Sequence, residues 1–167
     1  MPEFTHLDPL GRARMVDVTA KEPSIRRAMA RCTVQMLPET AARIASGAIT
    51  KGDVLAVARV AGIQAAKQTA NLLPLCHPLL VGSVLVNFRL EEDRVEVEAH
   101  VDTVDRTGVE MEALTACSVA ALTIYDMCKS GDRSITITDL ALWEKMGGRS
   151  GVWRRAGRDG QAEAFED

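Results

Sequence analysis

Tyr125-Asp126-Met127-Cys128-Lys129 places a carboxylate and an ammonium three positions apart near the end of the longest apolar run. On a helix such a pair shares one face, and its commonest form is a surface ion pair. Set among Ile124, Tyr125, Met127 and Cys128, it also fits a partly buried acid/base pair whose members tune each other's pKa. Lys51-Gly52-Asp53 lies at the mouth of an expected helix, where a cation beside free N–H groups suits a phosphate as well as it suits an ordinary turn. Pro74-Leu75-Cys76-His77-Pro78 brackets a cysteine and a histidine with two prolines, which stiffen the loop and present both side chains. Two adjacent ligand types without partners are a poor metal site; a hydrogen-bonding or acid/base histidine and a structural loop histidine are the remaining readings. Glu110-Met111-Glu112 opens the long apolar helix, where carboxylates suit the helix dipole. Lys145-Met146-Gly147-Gly148-Arg149-Ser150-Gly151, followed by Arg154 and Arg155, fits a mobile flap over an anion or a frayed C-terminus. Together these residues describe an anion site built from lysines, carboxylates and one histidine.

The elements that must position them follow from periodicity. An apolar run at 32–37 reads as a strand stopped by Pro38, which starts a short helix ending at Gly47. Asp53 caps a second helix running toward Ala70, stopped by Asn71 and Pro74; its Ala61, Gly62, Ala65 and Ala66 predict close contact with another backbone. Val84, Val86, Phe88 and Leu90, then Val95, Val97, Ala99 and Val101, alternate about a Glu91-Glu92-Asp93 turn and form a hairpin with one apolar face. A helix apolar almost all round spans about Val109 to Lys129, and a last strand runs from Ile135 to Leu142. The order strand, helix, helix, strand, strand, helix, strand fits a ferredoxin-like α+β fold: an antiparallel sheet with helices packed on one face, plus one extra helix. Residues 1–12 and 156–167 lack periodicity and read as flexible tails around a single domain at 13–155.

Composition narrows the function classes. The chain has 167 residues, 47% apolar and 26% charged, the proportions of a globular domain. A net charge of −3 and 4% aromatics argue against nucleic acid, which asks for basic surface and stacking platforms. No uninterrupted apolar run reaches 18 residues and the N-terminus lacks the pattern of a signal peptide, so a cytoplasmic protein without a membrane span is expected. Cys32, Cys76, Cys117 and Cys128 follow no metal or disulfide spacing and read as reduced, mostly buried thiols. No phosphate-loop, dinucleotide or zinc-protease motif occurs. Of 20 basic residues only Lys21, Lys51, Lys67, Lys129 and Lys145 are lysine, a pattern expected if lysine is kept where a tunable compact charge is needed.

Lys51-Gly52-Asp53-Val54-Leu55, Ala61-Gly62-Ile63 with Ala65-Ala66-Lys67, the Pro74–Pro78 loop, Thr107-Gly108-Val109-Glu110-Met111-Glu112-Ala113-Leu114-Thr115 and Tyr125–Lys129 resemble the cyclic pyranopterin monophosphate synthases, the molybdenum cofactor biosynthesis protein C family. The resemblance covers about residues 13–155. It implies a phosphorus–oxygen lyase that converts 3′,8-cyclised dihydro-GTP, supplied by a radical S-adenosylmethionine cyclase, to cyclic pyranopterin monophosphate and pyrophosphate. It also implies a homohexamer of three dimers, no required cofactor, no resident metal, and Mg²⁺ as an optional aid. Carried over by motif, Asp126 would be the acid/base, with Lys51 and Lys129 beside it. Leu75, Cys76, His77, Met111 and Glu112 would contact substrate, while Lys67, Glu110 and Lys145 would complete the pocket. Lys21 carries no assigned role. Cys32 and Cys117 stand where small residues are common in the family. A non-catalytic nucleotide sensor on the same fold is the competing reading, and it would need the cations but not Asp126.

Helical rise of ~1.5 Å per residue separates Glu112 from Asp126 by about 21 Å along one helix. If the two long helices pack antiparallel, Lys51 joins Asp126 and Lys129 at one end, and Lys67 and His77 join Glu110 and Glu112 at the other. One chain then holds two half-sites too far apart for one reacting centre, which predicts a two-fold dimer that joins half-sites of different chains.

Overall fold

The computed structural model describes residues 7–156. Its elements are β1 (Ser24–Gln35), α1 (Pro38–Ala45), α2 (Val54–Leu72), β2 (Ser83–Leu90), β3 (Arg94–Asp105), α3 (Glu110–Cys128), β4 (Thr136–Met146) and β5 (Trp153–Arg154). The strands form one antiparallel sheet in the order β2-β3-β1-β4-β5. Helices α2 and α3 pack on each other, and α3 lies on β1, β3 and β4. The fold is therefore ferredoxin-like α+β, with α1 as the extra helix.

Two strands are longer than their apolar patterns. β1 begins at Ser24, eight residues before the expected start, because Ala28 and Ala30 are small enough to hide under α3 and give no strong apolar signal. β4 extends to Met146, and β5 pairs back onto it through Glu144–Arg154 and Lys145–Trp153. The 145–151 segment is thus the bend of a β-hairpin and not a frayed end. Gly147 makes the bend possible: its φ is +105°, and a Cβ there would stand 2.2 Å from the Ile25 carbonyl. Residues 7–13 close a tight turn, with Leu7 bridged to Ala13 and the Asp8 carboxylate accepting the Leu10 and Arg12 N–H groups. Residues 1–6 and 157–167 of the expected tails lie outside the described range.

The core sits between the sheet and the helices. Val34, Val95, Val97 and Val101 from the sheet meet Ala113, Ala116, Ala120 and Ile124 of α3, all fully buried. By length and composition α3 is apolar enough to cross a membrane, but half of it is buried within the fold, against β1, β3, β4 and α2. The small-residue stripe of α2 serves close approach, as its composition predicts. A Cβ on Gly62 would lie 3.0 Å from the Ala116 carbonyl and 3.3 Å from the Ala120 methyl. Gly62→Val therefore pushes the helices apart and is expected to cost about 1–3 kcal/mol in a thermal or denaturant melt. Asp53 caps α2 by accepting the Ala56 N–H at 3.0 Å.

On the opposite face of the sheet, Glu98 is fully buried despite its charge. Arg31 Nε donates to Glu98 Oε2 at 2.6 Å, and His100 Nε2 lies 2.6 Å from Oε1. Burial works to raise the Glu98 pKa, but the bonds from His100 and Arg31 outweigh it and hold the carboxyl below its ordinary value. The Arg31 guanidinium also lies 5.0 Å from the centre of the Trp143 ring.

Candidate active site

At the C-terminal end of α3, Asp126 faces away from the core that holds Ile124, Met127 and Cys128. The antiparallel α2 brings its leading turn to the same place. Lys51 Nζ donates to the Asp126 backbone carbonyl at 2.7 Å and lies 3.3 Å from Oδ2, while Lys129 Nζ lies 2.6 Å from Oδ1. Asp126 thus sits between two ammonium groups contributed by different segments. The side chains of Lys51, Asp126 and Lys129 are 43%, 58% and 53% exposed, so the partial burial suggested by their apolar neighbours is not found within this chain. Those neighbours point inward and the triad points out. The Lys129 and Lys51 contacts hold Asp126 below its ordinary pKa, and Asp126 raises that of Lys129. A lowered lysine pKa therefore does not arise at Lys129 in the isolated chain.

At the other end of α3 a cleft of about 300 Å³ is walled by Leu75, Cys76 and His77 from the proline-bracketed loop and by Glu110, Met111 and Glu112 from the first turn of α3. Val16, Val18, Lys21, Leu79, Thr107 and Gly108 complete it. Lys145 reaches in from β4, its Nζ 3.2 Å from Glu110 Oε1. Lys67 stands exposed on α2, outside the residues that wall the cleft. Lys21 separates this cleft from an adjoining open one of about 690 Å³ that also carries Arg26 and Arg149. Lys21 lies in an irregular segment with no periodicity to place it; the scarcity of lysine was the one signal it gave.

Glu112 is 4% exposed, and burial, with a smaller push from Glu110, raises its pKa to about 7. It can hold a proton at neutral pH and give it up in the same range. Burial and the nearby Glu112 also raise the Cys76 pKa, which keeps that thiol protonated rather than nucleophilic. Because the folded carboxyl binds its proton more tightly than the unfolded one, the contribution of Glu112 to stability is greatest below the unfolded value and falls as pH rises toward about 7. Glu112→Gln removes that loss. Its melting temperature should match wild type near pH 4.5 and exceed it by several degrees at pH 8, in paired thermal melts across that range. Among the described residues no three His, Cys, Asp or Glu side chains converge as a metal site would require.

The sequence profile of the MoaC family matches residues 15–148, a span that takes in both clusters. The chain belongs to the MoaC family. It is 59% identical over 157 residues to the cyclic pyranopterin monophosphate synthase of Thermomicrobium roseum, covering 93% of this chain and 95% of that one. The synthase of a Roseiflexus species is 60% identical over 153 residues, covering 90% and 97%. Cyclic pyranopterin monophosphate synthase 3 of Mycobacterium tuberculosis is 57% identical over 157 residues, covering 93% and 89%. Within this MoaC-family fold, the resemblance read from the sequence motifs falls on two separate places: Lys51, Asp126 and Lys129 at one end of α3, and Leu75, Cys76, His77, Glu110, Met111, Glu112 and Lys145 at the other. The rise along α3 keeps Glu112 and Asp126 about 21 Å apart.

Proposed function

We propose that this chain is a cyclic pyranopterin monophosphate synthase of molybdenum cofactor biosynthesis, acting in the cytoplasm on 3′,8-cyclised dihydro-GTP and releasing pyrophosphate. The observation that carries this reading is the Asp126 carboxylate clasped by Lys51 and Lys129 in a chain so similar to enzymes of that name. Opening the purine five-membered ring, closing the pyran and forming the cyclic phosphate all move protons. Asp126, kept ionised by its two cations, is the acceptor, and the flanking ammonium groups return protons and steady developing negative charge. Glu112, which titrates near neutrality, is the second group able to store a proton.

The triphosphate brings several negative charges, and Lys21, Lys145, Arg26 and Arg149 border the second cluster. Departing pyrophosphate needs such countercharge. The conversion is redox-neutral, so it calls for no redox cofactor, and Mg²⁺ would enter as the counter-ion of the triphosphate. An upstream radical S-adenosylmethionine cyclase supplies the substrate in this reading. Two half-sites at opposite ends of α3 are united when a two-fold axis sets one chain's Asp126 cluster against its partner's cleft. Three such dimers make the hexamer.

Incubation with enzymatically prepared cyclised dihydro-GTP, following pyrophosphate and pterin together, tests the proposal. Equimolar release of both products is expected. Substrate binding without either product would overturn it in favour of a nucleotide sensor.

A further inference from the structure

Cys32 on β1 and Cys117 on α3 meet in the middle of the core. Cys117 is fully buried, Cys32 is 3% exposed, and both are free thiols. The Cys117 thiol points at Cys32 Sγ over 3.2 Å, with Val97 and Cys117 carbonyls as the surrounding acceptors. A disulfide bond is about 2.05 Å long, so the two sulfurs need to close only about 1.2 Å. The residues are 85 apart in sequence, so a link between them closes a long loop and restricts the unfolded chain strongly. Neither thiol belongs to either half of the candidate active site.

We propose that Cys32 and Cys117 are an oxidisable pair that a diazene or peroxide oxidant joins into an internal disulfide, stapling β1 to α3. With a diazene, one thiol adds across the N=N bond. The second sulfur then attacks the first and displaces the hydrazine, so both thiol protons and two electrons end on nitrogen. With hydrogen peroxide the same two protons and electrons break the O–O bond and yield two waters. The contact with Cys32 and burial both raise the Cys117 pKa, so Cys117 is held as a thiol in the folded protein. Both sulfurs are buried from solvent, so oxidation of the native protein is slow and passes through transient opening of the core, whereas a chain refolding in oxidant closes the bond as β1 and α3 dock.

The test refolds the full chain from guanidinium with excess diamide, blocks the remaining thiols under denaturing conditions, and maps tryptic peptides. The expected product joins peptide 32–43 to peptide 107–129 with loss of two hydrogens, and dithiothreitol reverses it. Its melting temperature should stand about 10 °C above that of the reduced protein. Because peptide 107–129 also contains Cys128, Cys128→Ala should keep the link and Cys117→Ala should lose it. If Cys117→Ala does not fold, the fragment spectrum of the wild-type product separates the two cysteines. Recovery of Cys32 and Cys117 both alkylated, a link to Cys76 or Cys128 instead, or a linked protein that melts lower than the reduced one would each overturn the proposal.

Discussion

If Asp126 is the acid/base of the proposed synthase, Asp126→Asn is expected to lower kcat by about 10²- to 10⁴-fold on cyclised dihydro-GTP while the substrate is still bound. Asparagine has nearly the same shape and its carbonyl still accepts from Lys51 and Lys129, so the pocket keeps its geometry. What disappears is the proton-accepting carboxylate and the negative charge that holds two ammonium groups together. Asp126 is more than half exposed, so the variant should fold and melt like wild type. Pyrophosphate release and pterin formation should fall together. A drop confined to binding would make Asp126 a charge for the substrate to meet rather than a chemical group.

Arg31→Ala is the substitution expected to damage stability most. Glu98 lies on the sheet face away from the helices with its side chain 1% exposed, and Arg31 supplies the permanent positive charge against it. Removing the guanidinium leaves a buried carboxylate with only His100 in the cluster, and loss of one partner of a buried pair costs about 3–5 kcal/mol. The pH dependence identifies the cause. In wild type the Glu98 pKa is lowered, so its contribution is present at neutral pH and lost as pH falls. In the variant an uncompensated carboxylate is relieved by protonation, so the gap between the two proteins narrows on acidification. Denaturant melts at pH 7 and pH 5 measure both effects, and a gap independent of pH would mean that lost packing against Trp143 dominates.

The helices and the β2–β3 hairpin were legible because their signals are local. Asp53 before an apolar stripe, Pro38 at a helix start, and alternation about Glu91–Asp93 each involve a few neighbouring residues. The first half of β1 was not, since Ala28 and Ala30 reveal their burial only when α3 is laid over them. The 145–151 hairpin was missed for a related reason. Its partner strand is two residues long, and its glycines announce a bend without saying what pairs beyond it.

The site shows the same division. That Lys51 meets Asp126 followed from helix length and antiparallel packing, and the structure brings them together. The exposure of that cluster did not follow, because apolar neighbours in sequence lie on the other side of the helix from Asp126. Lys21 sits in an irregular segment that faces the Leu75–His77 loop and the start of α3 across one cleft, and no periodic pattern encodes such a placement.

In the proposed dimer, one chain's Asp126 cluster works with another chain's His77–Glu112 cleft. Asp126→Asn and His77→Ala chains, each inactive alone, should be produced together in one cell and purified as mixed oligomers. In each mixed dimer one of the two composite sites then carries neither change. A shared site predicts recovery to about a quarter of wild-type turnover when the chains pair at random. Activity no greater than the sum of the two parents would contradict it and place the whole reaction within single chains.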